Sequence, residues 1–119
     1  MKKIIHVDNS VFFRKLVRTF LKGEGFEVSS FESAQDANMA ISSEIIHMVI
    51  MGLAFADIEG KEFLKKIVDS FTGPIIVISS SVDQKMHEEL VAQGITAAIN
   101  KSGPWQQSLM PYLTALKQA

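Results

Sequence analysis

Asp8 and Lys101 are the charged residues whose positions suggest chemistry, because each directly follows a short apolar run: Ile4-Ile5-His6-Val7 before Asp8, and residues 96–100 before Lys101. A carboxylate and an ammonium placed in this way can form a structural ion pair or can jointly hold an anion. Asn9 stands beside Asp8, and Ser79-Ser80-Ser81 follow a third apolar run, Ile75-Ile76-Val77-Ile78. Such serines can hold phosphate at a helix N-terminus or simply cap the helix that follows. A fourth run, His47-Met48-Val49-Ile50-Met51, leads into Gly52, which brings bare backbone where an acid is expected. No nucleophile–base pair and no glycine-rich phosphate loop accompanies Gly52, so no catalytic residue is assigned. His6 lies within an apolar strand and reads as a core histidine with a satisfied ring nitrogen. His47 and His87 have no partner at metal-ligand spacing, so no metal site is assigned.

The elements that carry these residues follow from the patterning. Asn9 or Ser10 can cap a helix in which Phe12, Phe13, Leu16, Val17, Phe20 and Leu21 recur at helical spacing, with Arg14, Lys15, Arg18 and Lys22 on the other side. Gly23 and Gly25 end it, and residues 26–31 read as a less apolar strand near a sheet edge. Ser33 opens a second helix with Asp36 at capping-box spacing and Ala34, Ala37 and Ile41 as a thin apolar stripe. A third strand covers 45–51, and a loop over 52–60 precedes a helix over about 61–71 with Phe63, Leu64, Ile67 and Val68 inward. After Gly73-Pro74 come the fourth strand and a helix over about 82–93 that Gly94 closes. Residues 96–100 form the fifth strand, and Gly103-Pro104 starts a last helix to about 117, which Pro111 should kink or split. Met39, Met48, Met51, Met86 and Met110 read as core or near-core fillers.

Five alternations of strand and helix with near-continuous apolar strands specify a doubly wound five-stranded parallel sheet, a flavodoxin-like (βα)5 three-layer sandwich. Its functional crevice lies at the carboxyl ends of the strands. Asp8, Asn9, Gly52, Ser79 and Lys101 should therefore converge there.

Composition narrows the classes of function. A chain of 119 residues reads as a single domain, 1–119, able to bury a core without staples. The net charge of −1 offers no basic field for nucleic acid or anionic lipid. There is no cysteine, which excludes disulfides and thiolate chemistry and fits a reducing cytoplasm. Nothing resembling an apolar leader follows Met1-Lys2-Lys3, and no run approaches the ~18–20 residues that would span a bilayer.

In order along the chain, Val7-Asp8-Asn9-Ser10, Asp57-Ile58-Glu59-Gly60, Ser79 with the small Ser80, Gly94 and Lys101 resemble the receiver domain of two-component response regulators, of the CheY-like kind. The resemblance covers essentially the whole chain. It implies a bacterial signalling module in which a central aspartate takes a phosphoryl group from a histidine kinase. An acidic pair would bind Mg²⁺, the lysine and hydroxyl would meet the phosphate, and an aromatic residue on the fifth strand would turn inward. It also implies that the chain ends where a receiver ends and carries no effector.

The sequence departs from that pattern. The acceptor aligns with Gly52, between Met51 and Leu53, and the second acid is Asn9. The aromatic switch position is Ala98, and Ser102 replaces the proline after the lysine. An acylphosphate needs a carboxylate, and Mg²⁺ wants several oxygens in octahedral array. The expectation is a degenerate pseudo-receiver with no phosphorylation and no enzyme activity, Mg²⁺ binding weak or lost, no other cofactor, and Asp8 paired directly with Lys101. Its partner would be a signalling protein or a second copy, met through Trp105 and Tyr112 as aromatic anchors or through Arg14 and Arg18, with no nucleic acid and no membrane insertion. The alternative is a small ligand-binding or enzymatic domain that uses the same crevice of a flavodoxin-like frame.

Overall fold

The protein is described here by a computed structural model covering residues 1–54 and 58–119. The elements alternate as β1 (Lys3–Val7), α1 (Val11–Gly23), β2 (Glu27–Phe31), α2 (Ala34–Ser43), β3 (Met48–Met51), α3 (Gly60–Ser70), β4 (Ile75–Ser79), α4 (Gln84–Ala92), β5 (Ala97–Asn100) and α5 (Trp105–Gln118). Five strands form one parallel sheet in the order β2-β1-β3-β4-β5, with Ile5 opposite Val49 and Ile50 opposite Ile76. The less apolar β2 is an edge strand, as its Glu27 and serines imply.

Alternate strand residues feed two cores, which is why the central strands read as unbroken apolar runs. Ile4, Met48, Ile50, Ile76 and Ile78 face Phe13, Val17 and Leu21 of α1 and Leu109 and Leu113 of α5. Ile5, Val7, Val49, Met51 and Val77 face Ala37, Ile41, Phe63, Leu64 and Leu90 on α2, α3 and α4. The chain leaves β1 toward one side of the sheet and reaches β3 on the other, so the topological switch point lies between them, where Asp8 and Gly52 emerge.

Several local expectations are corrected. Phe12 is 70% exposed and Leu16 41%, because α1 is covered on one side only and its inward stripe is narrower than its apolar content. Ile45 is 82% exposed, since β3 starts only at Met48, and Met39 is 65% exposed on the outer side of α2. The serines after β4 do not cap α4: Asp83 does, its Oδ1 accepting from Met86 N at 2.8 Å, and the helix starts at Gln84. Pro111 does not split α5, which runs from Trp105 to Gln118 as one element. Both Pro111 and Gln107, whose carbonyl loses its partner, lie on the exposed side, where water can satisfy that oxygen. Two caps stand as expected: Ser10, one of the two candidates, caps α1, accepting from Phe13 N at 3.2 Å, and Ser33 caps α2, accepting from Asp36 N at 3.1 Å.

Candidate functional site

Asp8 stands at the mouth of the sheet because its N–H continues the β1–β2 ladder, donating to Phe31 O at 3.0 Å. Its side chain then turns back into the crevice and is only 2% exposed. Such burial of a carboxylate is tolerable only with full pairing. Oδ1 accepts from Ser10 N at 2.8 Å, and Oδ2 accepts from Lys101 Nζ at 2.8 Å. The Asp8 carbonyl oxygen accepts from Arg14 Nη1 at 2.7 Å. Arg14, expected on an outer basic face, is thus turned to the strand end by its place one turn into α1.

Lys101 arrives from β5, its N–H donating to Ser79 O at 2.9 Å. Its ammonium lies 4.4 Å from the centroid of the Phe13 ring, a cation–π contact beside the ion pair. Phe13 meets Trp105 edge-on at 5.2 Å, and Phe20 meets Trp105 at 5.4 Å. Trp105 is therefore 5% exposed and is a core residue of the α1–α5 seam rather than a surface anchor. Tyr112 is half-buried against the same core, which leaves Arg18 as the exposed member of the four residues expected to meet a partner. The sequence shows the aromatic residues but not this stacking, which depends on how α1 and α5 cross.

Gly52 is held at the crevice by its N–H, which donates to Val7 O at 2.9 Å. A Cβ there would sit 3.0 Å from Asp8 Oδ2, 3.6 Å from Asp8 Cγ and 3.8 Å from Ile78 O. The Asp8 carboxylate thus already borders the space that a side chain at position 52 would enter. With Asn9 and Ser80 exposed and Ser79 half-buried, these residues line a crevice of about 180 Å³. Ala98 is half-buried in β5 and packs with the α2–α4 side of the core. Asp57 lies outside the described residues.

His6 lies beneath the site. It is 1% exposed and edge-on to Phe13 at 5.9 Å. Among the described residues neither its Nδ1 nor Ser30 Oγ, on its register partner, has a hydrogen-bond partner. Burial lowers its pKa from 6.5 to about 4; Asp8 pulls the value up, and Lys101 and Arg14 push it down. A histidine with a depressed folded pKa is neutral in the fold while the unfolded chain takes up the proton first. Its contribution is complete above pH 6.5 and fades as pH falls toward 4. The expected loss across that window is roughly 3 kcal/mol. Urea unfolding at several pH values checks it: the wild type should lose this component, and H6F should lack it whatever its absolute stability.

Among the described residues, no group of three or more histidine, cysteine or acidic side chains could hold a metal ion, and no helix is long and apolar enough to cross a membrane.

A CheY-like response regulator receiver domain protein from Methanospirillum hungatei JF-1 superposes with a TM-score of 0.87 at 21% identity, covering 99% of this chain and 95% of that one. The receiver domain of the Francisella response regulator 1452 gives 0.89 at 14% identity, covering 99% and 98%. Both likenesses speak to the fold. The regulatory protein VanRc of Enterococcus gallinarum is 30% identical over 79 residues, 66% of this chain and 34% of its own. The KDP operon transcriptional regulatory protein KdpE of Escherichia coli (strain K12) is 25% identical over 84 residues, 71% of this chain and 37% of its own. The chain thus corresponds to little more than a third of these relatives. The family described as response regulator receiver domain matches residues 4–110. Since that match runs from β1 into α5, the chain belongs to the response regulator receiver domain family.

Proposed function

We propose that this receiver is a signalling module of a two-component or phosphorelay system that takes no phosphoryl group and acts through contact with another protein. One observation carries the reading: β3 delivers Gly52, without a side chain, to the switch-point crevice, and the nearest described carboxylate, Asp8, is buried with both oxygens engaged. An aspartyl phosphate needs a free carboxylate oxygen to attack phosphorus. The same geometry argues against a Mg²⁺ site. Asp8 spends its oxygens on Lys101 and the Ser10 amide, Gly52 brings no side-chain oxygen, and Asn9 is a neutral donor.

The crevice of about 180 Å³ is smaller than the range of roughly 300–1,000 Å³ common for small-molecule sites, which disfavours the ligand-binding or enzymatic alternative. For a protein partner, the exposed outer surface of α1 offers Val11, Phe12 and Leu16 beside Lys15 and Arg18. A homodimer is the other option, and the beryllofluoride-activated NtrC4 receiver domain of the same fold forms a dimer. Relatives named as transcriptional regulators support a cytoplasmic site of action.

Titration with Mg²⁺, read by Trp105 emission and amide shifts, tests the reading. No saturable change at the ends of β1, β3 and β5 is expected at millimolar metal, and clear saturation would reject it. Restoring an acid, G52D, should recover only part of the reactivity toward a small phosphodonor, because Asn9 remains. It should also destabilise the fold by about 1–3 kcal/mol through the tight Cβ contact and carboxylate repulsion. G52A isolates the steric share, and recovery in G52D of the phosphodonor reactivity of an intact receiver would show that Gly52 alone silences the site.

A further inference from the structure

The turn from β4 into α4 is held by a side chain from the neighbouring strand. Asn100, the last residue of β5, accepts from Val82 N through Oδ1 at 2.7 Å and donates from Nδ2 to Val82 O at 2.8 Å. Both faces of the amide are used on one residue, so its orientation is fixed and the pair resists rotation. Immediately before it, Ser81 sits at φ 59°, a left-handed conformation that non-glycine residues adopt only when their surroundings impose it.

The helix that follows buries little of its own surface. α4 spans nine residues, and Leu90, near its far end, is its one fully buried side chain. Its cap, Asp83, accepts from Met86 N within the helix itself. The near end of α4 is held by the Asn100–Val82 pair together with Met86, which is half-buried against the core, and the far end by Leu90. Between α4 and α5, across β5, lies an open groove of about 370 Å³ bordered by His87, Ala98, Asn100 and Tyr112. The small Ala98 side chain leaves the groove floor open, and the position of α4 sets its width.

We propose that Asn100 is a latch that holds the β4–α4 turn and α4 in one arrangement, so that the groove over β5 is preformed rather than opened by an event in the crevice. The latch stands on local geometry and does not require the phosphorylation-silent reading. It adds to that reading the statement that this surface is constitutive. Asn100 is a positioning residue: it acts through the backbone of Val82, and its loss should free the turn without unfolding the sheet.

The test is amide hydrogen exchange and ¹⁵N relaxation dispersion on the intact chain, in the wild type and in N100A and N100D. In the wild type the Val82 amide should be protected, and residues 79–83 and α4 should be free of millisecond exchange. In N100A, Val82 should exchange about ten-fold faster, and exchange broadening should appear over 79–83 and the first turn of α4. The amides of Ile76 and Leu109 and the emission of Trp105 should not change, which separates release of the turn from general loss of structure. N100D keeps an acceptor for the Val82 N–H but sets a carboxylate against the Val82 carbonyl. It should keep protection at Val82 and still show broadening in α4. Wild-type millisecond motion in the turn, an unprotected Val82, or an N100A protein with wild-type exchange at Val82 would each overturn the latch. The wild-type measurements decide the question even if N100A does not fold. None of these readouts depends on phosphoryl transfer, so the latch can fail while the silent-site reading stands, and the reverse.

Discussion

Removing the ammonium by K101A is expected to lower the free energy of unfolding by about 3 kcal/mol, at the low end of the range for breaking a buried ion pair. The loss comes mainly from what remains behind. Asp8 is 2% exposed, and Lys101, 25% exposed, is its one charged side-chain partner among the described residues. Without the lysine the carboxylate keeps only the Ser10 N–H among its described partners, and water entering from the crevice replaces the lost ion pair only in part. The cation–π contact with Phe13 is lost as well. D8A should cost less, because the freed Lys101 side chain is long enough to take its charge into solvent. The double variant should cost clearly less than the sum of the two, and the difference is the coupling energy of the pair. Urea unfolding at pH 7, followed by Trp105 emission, measures all three. A K101A protein within about 0.5 kcal/mol of wild type, the span of an ordinary surface substitution, would show that the pair is dispensable.

A second large effect is expected at Gly60, the first residue of α3. A Cβ there would lie 2.7 Å from both the carbonyl carbon and the Cα of Leu53, and closer still to the Leu53 oxygen. The obstacle is backbone, so no rotamer change relieves it, and either the residues after β3 or the start of α3 must move. G60A should therefore cost at least about 3 kcal/mol, well above the typical substitution. G23A, in the last turn of α1, is the matched control: its Cβ would meet nothing within 4 Å. Alanine in a helix is favoured over glycine by roughly 0.5–1 kcal/mol, so G23A should stabilise. Thermal unfolding of the two variants should move Tm in opposite directions. G60A unfolding like wild type would mean that α3 and the Leu53 backbone do not approach as closely as described.

The strand–helix alternation and the strand ends were legible in the sequence because each depends on short-range pattern: runs of isoleucine and valine, then an acid, a glycine, a serine or a lysine. The Asp8–Lys101 pair could be read for the same reason, since parallel strands bring their carboxyl ends together. What failed needed packing geometry. Phe12 and Leu16 share the helical period of Phe13 and Val17, yet only one stripe of α1 meets the sheet. Trp105 follows a Gly-Pro turn, as surface residues often do, but Phe13 and Phe20 enclose it once α1 and α5 cross. Asp83 and the serines at 79–81 are equally good caps by composition, and the left-handed Ser81 with the Asn100–Val82 pair places the helix start after the serines. His6 was recognisable as buried, but its unpartnered Nδ1 depends on β1–β2 register and on side-chain direction.

Absence of aspartyl phosphorylation is tested most directly by incubating the wild-type chain with a small phosphodonor and Mg²⁺ and recording intact mass under conditions that preserve acylphosphates. A carboxylate in a competent receiver site would gain one acid-stable, base-labile phosphoryl group. The expected result is an unchanged mass, with Asp8 still bonded to Lys101. A stoichiometric phosphoryl adduct on any aspartate, Asp8 and Asp57 included, would contradict it.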